Sequence, residues 1–280
     1  MRLATARDSF TTPETARLID THCHLDGEDF APDRDAVLAR ARAAGVSDLV
    51  VPAIGPDGWP ALIRYAAATP GVHFGLGIHP QLLPALDARD DDRHLADLDA
   101  ALGAGGAVGV GECGLDGPSV AAGAPLDRQL RVLRAHLALA RKHRLPVMLH
   151  CLKLHDPLLA ILDEEDPLPA GGVLHSFSGS ADHVRRYLPA GLHFSFAGPV
   201  TYDGARRPMA ALSAVPPERL LLETDAPDQT PRPHRGRNEP GFLPEIAAAV
   251  ARATGRTLPE VDALTSANAR ALFRLGPPGR

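Results

Sequence analysis

Six residues from five widely separated segments, His22, His24, Glu112, His150, His175 and Asp225, could together gather divalent cations. Four neutral imidazoles and two carboxylates suit borderline ions such as Zn²⁺ or Mn²⁺, with Mg²⁺ also accessible, better than an all-oxygen Ca²⁺ cage. One ion falls to His22, His24, Glu112 and Asp225. A second falls to Glu112, His150 and His175, so Glu112 bridges the two. Ions held this way lower the pKa of water and clamp the attacking and leaving oxygens of a displacement, with Asp225 as the proton acceptor and Glu112 as the shared catalytic carboxylate. Taken alone, the His-x-His pair is a weak signal. Its weight comes from where all six residues fall.

They fall at the ends of strands. Eight apolar runs bounded by turn signals read as strands: Leu18 to His22, Asp48 to Ile54, His73 to Ile78, Ala107 to Cys113, Pro146 to Cys151, Gly172 to Ser176, His193 to Ala197 and Leu220 to Thr224. Helical periodicity separates them, as in Arg34 to Ala44, Asp127 to His143 and Ala181 to Leu188, and a last helical block covers Leu243 to Ala253. This alternation predicts an α/β fold, a single-domain TIM-like (β/α)₈ barrel over 17–275 preceded by a flexible extension at 1–16. A doubly wound open sheet is the alternative, but no glycine fingerprint of a nucleotide-binding loop follows any strand. In a barrel the C-terminal strand ends carry the chemistry, and five strands aim their candidate ligands there.

Strand alternation sends both imidazoles of the His-x-His pair inward and turns Cys23, Cys113 and Cys151 toward the helices as small buried hydrophobes. His79, after the third strand, lies on the same active face and reads as a substrate contact or as a support for a metal ligand. Arg237 and Asn238, beyond the eighth strand, read as a phosphate contact or as support for Asp225. Glu223 lies one layer deeper and needs a partner to offset its burial. His73 and His193 at strand starts, and His94, His136, His143 and His183 in helical stretches, read as structural or solvated.

The composition, 45% hydrophobic and 22% charged, suits a globular chain with a sizeable core. A formal net charge of −5 excludes a global basic field and leaves only a local grip on phosphates. Three scattered cysteines form no disulfide framework, and neither a secretory h-region nor a membrane span is evident, so the expected setting is cytoplasmic, away from membranes. A monomer without an obligate protein partner is expected.

With these residues in view, the chain resembles the TatD-type metal-dependent deoxyribonuclease family. The matching segments are IDTHCHLD (19–26), GIHP (77–80), GECGLD (111–116), LPVMLHC (145–151), HSFSG (175–179), LLLETDAPD (220–228) and GRNEP (236–240), in the family's order. The resemblance implies a TIM-like barrel, one or two divalent ions, and hydrolysis of phosphodiester bonds that trims DNA from a 3′ end. It assigns ligand roles to the same six residues. Two departures stand out. Leu152 occupies the place where the family often carries an arginine, which passes the phosphate contact to Lys153 or His155. The family's aromatics after GLD are replaced by GPSVAAGAP, a small-residue loop with nothing to stack a base. The expected substrate is therefore a DNA end or a short nucleotide. The competing function is an amidohydrolase-type barrel acting on a lactone, amide or other carbonyl substrate. Many of those enzymes bridge their metals with a carbamylated lysine on the fourth strand, where this chain has Glu112, with its two lysines, Lys142 and Lys153, elsewhere.

Overall fold

The structure, a computed structural model, describes residues 17–165 and 167–276. The extension assigned to 1–16 lies outside the described residues. Eight parallel strands form one sheet in strictly sequential order: β1 (Leu18–Asp20), β2 (Val46–Pro52), β3 (Val72–Leu76), β4 (Gly109–Asp116), β5 (Val147–Leu152), β6 (Gly172–Leu174), β7 (Leu192–Phe196) and β8 (Leu220–Leu222). Helices alternate with them: α1 (Arg34–Ala43), α2 (Trp59–Ala68), α3 (Asp91–Gly103), α4 (Gly117–Ala121), α5 (Leu126–His143), α6 (His155–Glu164), α7 (Ala181–Tyr187), α8 (Arg206–Leu212), α9 (Leu243–Thr254) and α10 (Leu258–Phe273). This is the single (β/α)₈ barrel predicted from the alternation. The seam between the last strand and the first is closed by backbone bonds from Thr21 N to Leu222 O (3.1 Å), Asp225 N to His22 O (2.9 Å) and His24 N to Ala226 O (2.8 Å). The last two lie at the level of the site, so bonds that close the barrel also position His22, His24 and Asp225.

Two packed layers follow from strand alternation. Outward residues such as Leu49, Val51, Leu149, Phe194 and Leu222 join the helices in one large core. Inward residues Ile19, Val50, Met148, Val173 and Leu221 fill the lower barrel, and Ala269, Leu272 and Phe273 of α10 plug its floor. Thr257 and Glu260 cap α10 reciprocally, each carboxylate or hydroxyl accepting the other's backbone N–H. Above Met148 and Val173 the interior turns polar, and the candidate ligands begin there.

Several boundaries differ from the predicted ones, for local reasons. β1 stops at Asp20, because Thr21 bends and its hydroxyl bonds Ser195 Oγ (3.1 Å) and Leu222 O (2.9 Å). β6 stops at Leu174, where Ser176 takes positive φ and gives its N–H to the Glu223 carboxylate instead of the ladder. The segment expected as a loop after GLD opens with α4, capped by Asp116, which accepts from Ser119 N (2.8 Å). All three cysteines are free and buried in the layer between barrel and helices. No helix among the described residues is long and apolar enough to cross a membrane.

Candidate metal centre

Glu112 sits at the centre of the upper barrel, 1% exposed, with imidazoles on both sides of its carboxylate. Its Oε1 lies 2.8 Å from His79 Nε2, 3.1 Å from His150 Nδ1 and 2.7 Å from His175 Nε2. Its Oε2 lies 3.1 Å from His22 Nε2 and 3.5 Å from His24 Nε2. Asp225 Oδ1 approaches the same two nitrogens at 3.8 and 3.9 Å. The structure thus brings all six predicted residues together, and one carboxylate separates a His22–His24–Asp225 side from a His150–His175 side.

The route by which they arrive is only partly strand alternation. His79, His150, His175 and Asp225 share parity with inward residues of their strands. His22 and His24 do not: Ile19 and Thr21 face the interior, so continued alternation would turn both imidazoles outward. The bend at Thr21 resets the parity, and that bend is the correction to the strand-based reading of the His-x-His pair. Glu112 needs a comparable device. Val110 and Cys113 both face the helix layer, and the β4–β5 register shifts between them, which leaves Gly111 and Glu112 together on the inner side. Gly111 has φ +139, and a Cβ there would meet Met148 O at 2.5 Å, so only glycine fits.

Hydrogen bonds fix which ring nitrogens face the carboxylate. Gln81 N donates to His79 Nδ1 (3.0 Å), which leaves the ring proton on Nε2 to be donated to Glu112. His79 therefore aims the Glu112 carboxylate, the supporting one of the two roles its position suggested. Asp116 Oδ2 accepts from His150 Nε2 (3.0 Å), freeing Nδ1 toward Glu112 and toward His175 Nε2, 3.2 Å away. Glu223 finds its partners in Ser176 N and in His175 Nδ1, 3.5 Å off. Gln229 donates to Asp225 Oδ2, and Asn238 donates to Thr224 O (2.8 Å) and Asp228 O (2.6 Å), bracketing the Asp225 backbone.

Burial lowers the pKa of His22, and the neighbouring His175 adds to it; burial holds His24 down at about 3. Both are neutral with lone pairs available. Burial opposes charge on Glu112 too, yet the surrounding His79, His175 and His22 outweigh it and hold the carboxyl well below the usual range. Burial pushes Asp225 up to about 8, against the pull of His175. A buried carboxylate with no arginine or lysine beside it is stabilised by a cation. Ligand atoms of His22, His24 and Asp225 lie within 4.8 Å of one another, and on the other side His150 Nδ1 and His175 Nε2 lie 3.2 Å apart beside Glu112 Oε1, so the donor set fits divalent ions.

A cavity of about 510 Å³ opens above this cluster, and none of the three predicted phosphate contacts lines it. Lys153 is exposed beyond the strand end and outside the lining. His155 is buried beside Cys151 Sγ (3.3 Å) and Tyr187 Oη (3.2 Å), in the layer between barrel and helices. Arg237 is committed to both oxygens of Asp33 at 2.8 Å and stacks over Phe30. Among the described residues, Arg207 at the start of α8 is the one arginine or lysine lining the cavity. Arg207, Asp116 and Gln229 are the residues sequence reasoning missed. Asp116 was within reach as part of GECGLD, whereas nothing local marks Arg207 or Gln229. His136, read as structural, is buried in α5 and its Nε2 accepts from Ile78 N (3.0 Å), which fixes the end of β3 beside His79.

Imidazoles gathered about a buried carboxylate at the C-terminal rim of a (β/α)₈ barrel define a metal-dependent hydrolase. A family model described as TatD related DNase matches residues 19–274, and the chain belongs to that family. It is 35% identical over 262 residues to the uncharacterized metal-dependent hydrolase YabD of Bacillus subtilis, covering 92% of this chain and 99% of that one. It is 36% identical to the 3′-5′ ssDNA/RNA exonuclease TatD of Cronobacter sakazakii, covering 91% and 97%. The crystal structure of YjjV, a TatD homologue from Escherichia coli K12, superposes with a TM-score of 0.85 at 33% identity over 93% of this chain and 99% of that one.

Proposed function

We propose that this chain is a phosphodiesterase that trims single-stranded DNA from its 3′ end, acting as a monomer whose single chain supplies every group of the site. The observation that carries the reading is the placement of Glu112 between two sets of imidazoles, with Asp225 on one side and the cavity opening above. Relatives named 3′-5′ ssDNA/RNA exonuclease at about 36% identity support it. Divalent ions held by His22, His24, Asp225, Glu112, His150 and His175 would supply a more acidic water and neutralise charge at phosphorus. His22 and His24 contribute neutral nitrogens. His79 and Asp116 keep Glu112 and His150 aimed. The Asp225 carboxylate, kept ionised by a bound cation, takes the proton of the attacking water as that oxygen bonds to phosphorus and the P–O3′ bond breaks. The departing O3′ takes a proton from solvent water. Arg207, on the cavity wall, holds the phosphate in place of the arginine that Leu152 replaces.

Presenting the metal-loaded protein with 3′-labelled single-stranded DNA and with a panel of lactones and amides tests the reading. Nucleotides are the expected products, with no turnover of the carbonyl panel; hydrolysis confined to the panel would replace the nuclease by the amidohydrolase. In the same assay His150→Ala and Asp225→Asn are expected to lose roughly 100-fold or more of the activity while keeping a native circular-dichroism spectrum. Wild-type turnover by either variant would remove its residue from the site.

A further inference from the structure

A second cavity of about 390 Å³ adjoins the first and shares Tyr202 and Gln229 with it. Its wall is formed chiefly by Tyr202, Gln229, Thr230, Arg232, His234 and Arg235, and no carboxylate lines it. That is unusual on a chain of net charge −5. Arg232 and Arg235 are both exposed. Neither guanidinium has a carboxylate partner among the described residues, and Arg232 lies 5.8 Å over the ring of Tyr202. His234 is held in place by stacking on Phe242 (3.7 Å between centroids) and by Glu245 at 3.2 Å. Gln229, on the shared wall, bonds both Asp225 and Ser176 Oγ, so the second cavity is mechanically continuous with the centre.

Two unpaired arginines beside an exposed aromatic ring have the chemistry of a single-strand backbone site, in which cations track phosphates and a ring face receives a base. Arg207 lies on the first cavity's wall and Arg232 and Arg235 on the second's, with Tyr202 between them. We propose that this second cavity binds the strand immediately upstream of the 3′-terminal nucleotide, with Arg232 and Arg235 on successive phosphates and Tyr202 under the intervening base. The proposal rests on the nuclease reading of the first cavity. It makes the enzyme prefer substrates at least a few nucleotides long over dinucleotides, and it makes that preference sensitive to salt.

The test compares wild type with the Arg232→Ala/Arg235→Ala double variant on a 12-nucleotide single strand and on a dinucleotide. The ratio of kcat/KM for the 12-mer to that for the dinucleotide should fall about tenfold or more in the variant, chiefly through KM. Binding of a labelled 12-mer, read by fluorescence anisotropy, should weaken in parallel, and the slope of log K against log salt should shrink by about 1.4, as two lost phosphate contacts require. Arg232→Lys/Arg235→Lys should recover most of the binding. An unchanged ratio, or 12-mer binding equal to wild type, overturns the track. If the wild type cleaves neither substrate the nuclease reading fails, and the anisotropy comparison still decides the track: weaker binding by the double variant upholds it, equal binding dismisses it.

Discussion

Glu112 receives hydrogen bonds or close ring nitrogens on both oxygens, and two of those rings, His79 and His150, are themselves hydrogen-bonded from behind. Asp116 is the clearest such support. It accepts from His150 Nε2 at 3.0 Å while its other oxygen caps α4 through Ser119, so the imidazole is locked with Nδ1 toward the centre. Asp116→Asn keeps the shape and removes the charge that fixes this tautomer. Its metal affinity is expected to drop about 10- to 100-fold by titration against a competing chelator, with the melting temperature of the metal-free protein nearly unchanged. Undiminished affinity would mean that His150 is oriented by something else. At this scale the sequence was legible for residue identity and less so for geometry. All six ligand candidates were readable from their positions at strand ends. The tautomer of His79 was not, because it depends on the backbone N–H of Gln81, and the cation of the cavity was not, because Arg207 comes from a different loop than the family pattern suggests. Arg237 looked available only because Asp33, its partner in the neighbouring segment after β1, is distant in sequence.

At the scale of elements, the eight strands and their order followed from apolar runs alone, whereas their ends did not. Strand ends in this barrel are decided by side chains that compete for backbone groups, such as Thr21 with Leu222 O and Glu223 with Ser176 N. A periodic pattern carries no trace of such long-range bonds, so the bend that turns His22 and His24 inward was invisible, as was the register shift that presents Glu112. The opposite face of the barrel is tied by a separate cluster. Asp48 of β2 accepts from Arg270 of α10 (2.8 Å), from His73 of β3 (3.0 Å) and from Ser47 (2.7 Å). Burial opposes the charge on Asp48, but these bonds prevail and hold its carboxyl at about 2. A carboxyl depressed from its usual value near 3.8 contributes stability that is full at neutral pH and is lost as pH falls from about 4 through about 2. Asp48→Asn is therefore expected to lower unfolding stability by about 1 kcal/mol at pH 7, and the gap from wild type should close below pH 3 in urea melts. A constant gap across that range would assign the effect to packing instead of charge.

For the molecule as a whole, the division of labour is axial. Apolar layers and the α10 plug fill the lower barrel, and the polar centre, the main cavity and the arginine-lined annex occupy the C-terminal rim, where the loops vary without disturbing the core. On a chain of net charge −5, Arg207, Arg232 and Arg235 set a local positive lining beside the site. The central claim is that Glu112 divides the upper barrel into two cation positions. Crystals grown with Mn²⁺ or Zn²⁺ and measured at the metal's absorption edge address it directly. Two anomalous peaks are expected flanking the Glu112 carboxylate, one bounded by His22, His24 and Asp225 and the other by His150 and His175. Density absent from both positions in fully loaded protein, or a metal bound on residues outside this cluster, would contradict the account.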